Sequence, residues 1–203
     1  MSHQQVGIVI LAAGGSTKLG SPKQLVRFKG KTVFRSSVES AVACESSSVI
    51  AVLGSRAEEI SIEAEGLPVE IVINEEWEVG ISSSIKAGLA RLIELGPEID
   101  AVIIMLSDQP FVDEKTIRSL IDTYRTSGKP IVASEYNGVL GVPALFDRVM
   151  FDDLMALEGD AGARVIIRKS ASEKIATISA PEAAFDIDTP QDRDRLRTYE
   201  SEK

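Results

Sequence analysis

The chain has 203 residues, of which 44% are hydrophobic and 26% are charged, and its formal net charge is -9. This composition is that of ordinary globular proteins and excludes a disordered or fibrous chain, while the length predicts a single domain spanning 1–203. The negative charge argues against a nucleic-acid partner, because such proteins neutralise phosphates with clustered lysines and arginines.

The residue types present also limit where the protein is expected to be located and which kinds of catalytic site it can contain. Cys44 is the only cysteine and can form no intramolecular disulfide, and the first residues lack the features of a secretory signal. Apolar runs are far shorter than the ~20 residues that a membrane span needs. We therefore expect a cytoplasmic protein with no membrane partner. The single histidine, His3, excludes histidine-based triads and histidine-rich zinc sites.

Short β-branched, apolar runs alternate with stretches of helical periodicity along most of the chain. The runs predict strands at 6–12, 49–53, 69–73, 101–106 and 131–133. The periodic stretches predict helices at 33–44, 84–95 and 114–124. Weaker patterns after residue 134 predict strands at 143–146 and 174–178 and a terminal helix at 191–200.

This alternation predicts the fold class and the edge at which a ligand binds. Crossover helices between strands favour a mostly parallel sheet that is covered on both faces, so we expect a three-layer α/β/α domain. In open α/β sheets, ligands bind beyond the carboxyl ends of the strands. The informative loops are therefore those that follow residues 12, 73 and 106.

A glycine-rich loop follows the first predicted strand. Residues 11–23 read LAAGGSTKLGSPK, which places three glycines and two lysines, Lys18 and Lys23, close behind a buried strand. Backbone amides and cations in this arrangement are suited to holding phosphate, although a plain glycine-rich connection is the alternative. The spacing does not fit the dinucleotide fingerprint GxGxxG, and GKT at 30–32 lacks the first glycine of a P-loop.

Two further segments could bring carboxylates to the same edge of the sheet. Asp108 follows the strand at 101–106, and Asp186 and Asp188 alternate with an apolar residue, which places both on one face of an extended segment. Asp188 could then join Asp108 at Mg²⁺, which prefers one or two carboxylates together with phosphates and water. The alternative roles are structural: Asp108 would cap a turn before Pro110, and Thr189 would cap the terminal helix.

Segment 74–84, NEEWEVGISSS, links a strand to a helix and holds the only tryptophan, Trp77. Serines at the start of a helix either cap it or hydrogen-bond a ligand such as a nucleotide base. Composition alone favours capping by the serines and a packing role for Trp77.

Taken together and in this order, these segments resemble the MobA-like nucleotidyltransferases, and most closely the molybdenum cofactor cytidylyltransferases. The similarity spans nearly the whole chain. Its elements are LAAGxS with Lys23, NxxWxxGIxxS, SDQP, GVPALF at 141–146, GDAGAR at 159–164 and DIDTP. The resemblance implies a Rossmann-like domain of the nucleotide-diphospho-sugar transferase type.

The resemblance also implies a role for particular residues. Lys23 and Asp108 would be catalytic, and Asp108 and Asp188 would bind Mg²⁺. The implied nucleotide-binding residues are Leu11, Ala12, Ala13, Gly14, Gly15, Ser16, Lys18, Lys23, Gly80, Ser82 and Ser84. The implied acceptor side comprises Gly141, Pro143, Asp160 and Arg164, although a surface charge before a helix is the alternative for Arg164.

Three positions depart from the family pattern. Lys18 stands where the family usually has arginine, which keeps the charge but loses the planar fork for phosphate. Ser107 replaces a glycine before the metal aspartate, and Val142 stands where relatives often carry histidine.

Ala13 favours CTP over GTP, because guanylyltransferase relatives have LAGG where this chain has LAAG.

The function implied by the resemblance is transfer of CMP from CTP to the terminal phosphate of molybdenum-loaded molybdopterin, with release of pyrophosphate. A molybdenum hydroxylase would be the client. Two alternatives stay open. One is a guanylyl- or sugar/polyol-phosphate nucleotidyltransferase of the same fold, and the other is a non-catalytic nucleotide-binding protein that inserts the cofactor.

Overall fold

The structure is a computed structural model that describes residues 4–16, 18–44, 46–96 and 98–201, so His3 lies outside the described residues. Strands and helices alternate along most of these ranges. In chain order they are β1 (Val6–Ala12), β2 (Arg27–Phe28), β3 (Lys31–Thr32), α1 (Val33–Val42), β4 (Ser48–Leu53), α2 (Ala57–Ser61), β5 (Glu70–Ile73), α3 (Ile81–Leu95), β6 (Ala101–Leu106), α4 (Glu114–Ser127), β7 (Ile131–Tyr136), β8 (Val139–Asp147), α5 (Phe151–Met155), α6 (Arg164–Lys169), β9 (Ile175–Ser179) and α7 (Pro190–Ser201).

Seven of the described strands form one sheet in the order β5-β4-β1-β6-β8-β7-β9. Strand β1 pairs in parallel with β4 and β6, and the pairs β4–β5 and β7–β9 are also parallel. Strand β8 runs antiparallel to both of its neighbours, β6 and β7. The predicted mostly parallel sheet is therefore confirmed, and the buried strand β1 lies in its interior.

The two faces of the sheet are covered by different helices, which confirms the three-layer prediction. Side chains of β1 alternate between the faces: Ile8 and Ile10 join a core cluster with residues of α1, α2 and α4. Val9 and Leu11 join a second cluster with residues of α3, α5 and α6. This alternation is the period-two geometry of an extended strand, and it explains why β1 reads as a continuous apolar run.

Helix α7 is held against the β2–β3 hairpin by a third cluster, in which Ile187 and Leu196 are fully buried. Edge-to-face ring contacts extend it: the Phe111 centroid lies 5.5 Å from that of Phe28, 5.2 Å from that of Phe185 and 5.0 Å from that of Tyr199. We term these four rings the aromatic cluster. Because such pairs each contribute ~0.5–1.5 kcal/mol beyond burial, the cluster attaches the C-terminal segment firmly to the sheet domain.

The strand and helix predictions are confirmed, with displaced ends at most elements. Helix α3 begins at Ile81 rather than at 84, and β8 begins at Val139 rather than at 143. Asn137 and Gly138 both have positive φ (50° and 72°), as in the tight hairpin turns that Asn-Gly favours, so β7 and β8 pair as far as this turn. The short elements α2, α5, α6 and the β2–β3 hairpin were not predicted. No helix in the described ranges is long and apolar enough to cross a membrane.

Candidate active site

A cleft of about 760 Å³ lies beyond the carboxyl ends of β1 and β6. Its walls come from the loop after β1, the segment between β5 and α3, the loop after β6, and two later segments of the chain. The lining residues are Leu11, Ala12, Ala13, Gly14, Gly15, Ser16, Lys23, Gln24, Trp77, Glu78, Gly80, Ile81, Ser84, Leu106, Ser107, Asp108, Asp160, Asp186 and Asp188. The three loops that follow the strands ending near residues 12, 73 and 106 therefore meet at one site, as expected for a sheet of this kind.

The glycine-rich loop is fixed from behind by Gln24, whose side chain is almost completely buried. Its Nε2 donates hydrogen bonds to the carbonyl oxygens of Ala12 (2.7 Å) and Gly14 (3.0 Å). Ser16, with φ 53°, accepts a hydrogen bond at Oγ from the amide of Lys23 (3.0 Å). Gln24 was not predicted as a site residue, and its only signal in the sequence is its position next to Lys23.

The amides of Gly14 and Gly15 donate to no acceptor in the part of the chain that the structure describes. Trp77 packs against this loop: a Cβ at Gly15 would lie 3.1 Å from Trp77 Cη2, and one at Gly54 would lie 2.6 Å from Trp77 Cβ. Trp77 therefore both packs against the loop, as its composition indicated, and lines the cleft. Amides without partners beside a cavity are suited to binding an anion.

Lys23 joins the two carboxylates that the sequence predicts as metal ligands. Its Nζ contacts Asp108 Oδ2 and lies 2.8 Å from Asp188 Oδ1. The side chain of Lys23 is 20% exposed and that of Asp108 only 9%, whereas that of Asp188 is 57% exposed. Burial lowers the pKa of Lys23, but the two carboxylates outweigh burial and the pKa is raised, so Lys23 carries a positive charge.

The DIDTP segment is placed by main-chain and helix-capping contacts. The amide of Ile187 donates to the carbonyl oxygen of Asp108 (3.1 Å), and the Ile187 side chain is fully buried. As predicted from the alternation, Asp186 and Asp188 both line the cleft. Thr189 Oγ1 accepts from the amide of Asp192 (3.2 Å), which confirms the predicted cap of α7. Helix α4 is capped by Asp113, not by Asp108.

Asp186 lines the cleft together with Asp108 and Asp188. Desolvation and the neighbouring Asp108 carboxylate raise the pKa of Asp186 from its ordinary value of 3.8 to about 6. Burial is the larger cause of this shift, and the part that comes from the neighbouring carboxylates shows that negative charge is concentrated at this edge of the sheet.

The residues present fit a divalent cation such as Mg²⁺. Asp108 Oδ1 is buried and has no hydrogen-bond partner among the described residues. This carboxylate oxygen is therefore an unused acceptor at the wall of the cleft, suited to bind a cation. The described residues contain no cluster of three His, Cys, Asp or Glu side chains in metal-binding geometry. Two carboxylates nevertheless match the preference of Mg²⁺ for few protein ligands, with phosphates and water completing its octahedron.

The segment before α3 crosses the later 159–160 backbone at close range. Gly80 has φ 127°, and a Cβ there would lie 2.3 Å from the carbonyl carbon of Gly159. The amide of Ser82 donates to the Gly159 carbonyl oxygen (3.1 Å). This crossing brings Asp160 into the cleft, whereas Ser82 lines a separate groove on the other side of the segment.

The serines at the start of α3 do not cap it, so the capping interpretation was wrong. Ser83 Oγ donates to the Gly80 carbonyl oxygen (2.8 Å) instead of accepting from an amide, and α3 has no side-chain cap. Asn74, the first residue of the NxxWxxGIxxS motif, donates from Nδ2 to Ser84 Oγ (3.0 Å) and to Ser83 Oγ (2.8 Å), a role that the motif alone does not predict. Ser84 is thereby fixed at the cleft wall.

Several residues that the resemblance implies do not line the cleft. Lys18 is exposed on the loop, and Gly141 and Pro143 are buried in β8. Arg164 begins α6, where its Nε donates to the Leu140 carbonyl oxygen (3.2 Å), and it lines another groove. Of the four residues assigned to the acceptor side, the structure brings only Asp160 into the cleft.

Comparison with known proteins gives consistent similarities. The family model of the MobA-like NTP transferase domain matches residues 8–175. The chain is 29% identical over 198 residues to a nicotine blue oxidoreductase of Paenarthrobacter nicotinovorans, covering 93% of this chain and 94% of that protein.

Two crystal structures resemble the chain over nearly its full length. An Rv0371c homologue from Mycobacterium sp. strain JC1 has a TM-score of 0.82 and 32% identity, covering 98% of both chains. Rv0371c of Mycobacterium tuberculosis in complex with manganese has a TM-score of 0.79 and 28% identity, covering 95% of this chain and 98% of that one. On these matches and on the geometry of its cleft, the chain belongs to the MobA-like NTP transferase family of nucleotidyltransferases.

Proposed function

We propose that the chain transfers the CMP moiety of CTP to the terminal phosphate of molybdenum-loaded molybdopterin. The observation that best supports nucleotidyl transfer is the position of Lys23. It contacts Asp108 and Asp188 beside the glycine-rich loop, in one cleft. Family membership supports a nucleoside triphosphate as donor. The choices of CTP and molybdopterin rest on the motif resemblance, and so does a molybdenum hydroxylase as the client. A cytoplasmic location is likewise a prediction from the sequence.

In the proposed reaction, an oxygen of the acceptor phosphate attacks the α-phosphorus of the nucleotide. A new bond forms between this oxygen and the α-phosphorus, the bond to the bridging oxygen of the β-phosphate breaks, and pyrophosphate leaves. Because an acceptor phosphate is already ionised, no general base is needed. The chain aligns the two substrates and stabilises charge through Lys23 and the amides of Gly14 and Gly15.

Asp108 and Asp188 would hold Mg²⁺, which supplies neutralisation of the nucleotide phosphates. The acceptor Oδ1 of Asp108, which lacks a hydrogen-bond partner, supports this assignment. A divalent ion is also part of the manganese complex of Rv0371c. Once both carboxylates serve as ligands, the ammonium group of Lys23 can turn from them to the phosphates.

The remaining residues follow the same assignment. Gly80 and Ser84 line the cleft and would approach the base or ribose. Asp160 would face the acceptor, because the crossing at Gly159 carries it into the cleft. Arg164 lines a different groove, so it would contact an acceptor only if the acceptor extends out of the cleft. Gly141 and Pro143 lie in β8 and would support this groove from that strand.

The test is pyrophosphate release from the purified chain with each nucleoside triphosphate, with and without molybdenum-loaded molybdopterin. Lys23→Ala serves as the impaired variant, and Lys18→Ala is its matched control because Lys18 lies on the same loop outside the cleft. We expect release with CTP only when the acceptor is present. Preference for GTP would select a guanylyltransferase, and binding without release under any condition would select the non-catalytic alternative.

An oxidoreductase is a second candidate, favoured by the name of the relative that is 29% identical. The glycine spacing at 14–19 does not fit the dinucleotide fingerprint, which argues against this candidate. Oxidation of NADH or NADPH in the presence of nicotine blue tests it directly. If the Lys23→Ala variant still oxidises NADH or NADPH in the presence of nicotine blue, the chain is an oxidoreductase whose activity does not use Lys23.

A further inference from the structure

A second cavity, of about 560 Å³, lies behind the loop that carries Lys23. Four arginines and two glutamates line it: Arg27, Arg56, Arg193, Arg197, Glu59 and Glu200. We term it the arginine groove. In a chain whose net charge is -9, four guanidinium groups around one cavity are a marked local concentration of positive charge.

The two glutamates of the groove already have partners. Glu59 forms an ion pair with Arg56, and Glu200 accepts a hydrogen bond from the amide of Lys29. One positive group of the groove, the guanidinium of Arg193 on α7, is less well satisfied. Arg193 Nε lies 3.7 Å from Asp194 Oδ1, beyond hydrogen-bond length, and it is buried without a hydrogen-bond partner among the described residues.

A buried donor without an acceptor is costly, and an anion in the groove would satisfy it. Arg193 and Arg197 are four residues apart on α7, so both side chains lie on one side of the helix. The planar fork of a guanidinium group can donate two parallel hydrogen bonds to the oxygens of a phosphate. The cavity volume lies in the range of small-molecule sites, ~300–1,000 Å³.

The groove shares a wall with the active-site cleft. The wall is the single 3₁₀ turn Lys23–Leu25 with the residue that precedes it. Lys23 and Gln24 line the cleft, whereas Pro22 and Leu25 line the groove. A molecule in the groove therefore contacts the segment that positions the catalytic lysine.

We propose that the arginine groove binds the phosphate group of a small molecule, at a site separate from the nucleotide in the cleft, with Arg193 and Arg197 as its principal ligands. The binding does not depend on which nucleotide or acceptor the cleft uses. The ligand is either a diphosphate, such as the pyrophosphate that the reaction releases, or a phosphate monoester. Both present the same chemistry to the guanidinium groups.

The test is isothermal titration calorimetry of the full chain at low ionic strength, without divalent cations. It is done in the Lys23→Ala background to weaken phosphate binding in the cleft. Inorganic pyrophosphate and glycerol 3-phosphate are titrated separately. Binding of either supports the proposal and shows which kind of phosphate the groove takes, whereas binding of neither overturns it.

The variant that removes the groove is Arg193→Gln/Arg197→Gln. Its matched control is Arg168→Gln/Arg195→Gln, which loses the same charge from exposed arginines outside the groove. We expect the groove variant to weaken binding by about tenfold or more and the control to leave it within about twofold. Equal weakening in both variants would mean a general charge effect and would overturn the site. If the groove variant does not fold, Arg27→Gln/Arg56→Gln replaces it.

Discussion

The amide of Ile187 donates a hydrogen bond to the main-chain carbonyl oxygen of Asp108, at 3.1 Å. This contact sets the position of the DIDTP segment relative to the loop after β6. The Ile187 side chain is buried in the third cluster, so Asp186 and Asp188 on either side of it turn towards the cleft, next to Asp108. This main-chain bond therefore helps to bring together three carboxylates from two distant parts of the chain.

Replacement of Lys23 by alanine should lower kcat/KM by about tenfold or more, because the variant loses the positive charge that we propose to stabilise the phosphates. Steady-state pyrophosphate release measures this, with Lys18→Ala as the control on the same loop. The thermal unfolding midpoint should not fall in step with activity. A parallel loss of both, or an equal effect of Lys18→Ala, would assign Lys23 a structural role.

Asp108→Asn should abolish most activity and weaken its dependence on Mg²⁺, because the amide is nearly isosteric but does not neutralise a cation. Lys23 would keep Asp188 as a partner, so the fold should persist. Activity as a function of Mg²⁺ concentration is the measurement, with Asp188→Asn expected to behave similarly and exposed Asp153→Asn as control. Activity of Asp108→Asn near wild type at low Mg²⁺ would place the metal elsewhere.

Asp186 gives the stability of the chain a specific pH dependence. Its pKa is raised from 3.8 to about 6, so its contribution to stability is complete below pH 3.8 and is lost as the pH rises through about 6. Asp186→Asn removes this titration. The urea midpoint of the variant minus that of the wild type should therefore increase between about pH 4 and about pH 7 in EDTA. A difference that is constant with pH would contradict the shift.

Gly80→Ala should displace the 159–160 backbone, because a Cβ at residue 80 would lie 2.3 Å from Gly159. We expect a loss of stability beyond the ~1–3 kcal/mol that positive φ costs, together with a raised KM for the acceptor. Gly66→Ala is the matched control, since its φ is also positive (80°) but nothing lies within 4 Å of the added Cβ. Equal unfolding free energies for the two variants would remove the steric argument.

Ala13→Gly should relax the preference for CTP over GTP. Ala13 lines the cleft and is 6% exposed, so its methyl group belongs to the packed wall that we propose to contact the nucleotide. One carbon in such a wall is typically worth ~1–3 kcal/mol, or roughly 10–200-fold in kcat/KM. Ala13→Ser retains the Cβ and should retain the preference. A wild type that uses GTP as well as CTP would reject the cytidylyltransferase assignment.

The sequence predicts the sheet and the main helices because period and β-branched composition are local signals. Strands 6–12 and 101–106 match β1 and β6 at both ends, since each is buried on both faces and bounded by polar or glycine residues. The strands β7 and β8 were predicted too short and not as a hairpin, because the turn signal of Asn137 and Gly138 was not used.

The candidate site was only partly predictable, because several of its contacts join distant segments. Lys23 and the carboxylates stand in recognisable motifs, but their ion pairs with one another exist only after folding. The role of Gln24 depends on two carbonyl oxygens of a neighbouring loop, and that of Asn74 on two serine hydroxyls. No periodicity or composition encodes such partners.

The attachment of α7 through the aromatic cluster makes the carboxylate Asp188 separable from the rest of the site. Local opening of this helix together with the preceding residue Ile187, which packs in the same cluster, would withdraw Asp188 while the sheet and the glycine-rich loop stay folded. The chain would then retain its nucleotide contacts but lose catalysis. Hydrogen exchange at α7 should accordingly report the fraction of molecules in which Asp188 is in place for chemistry.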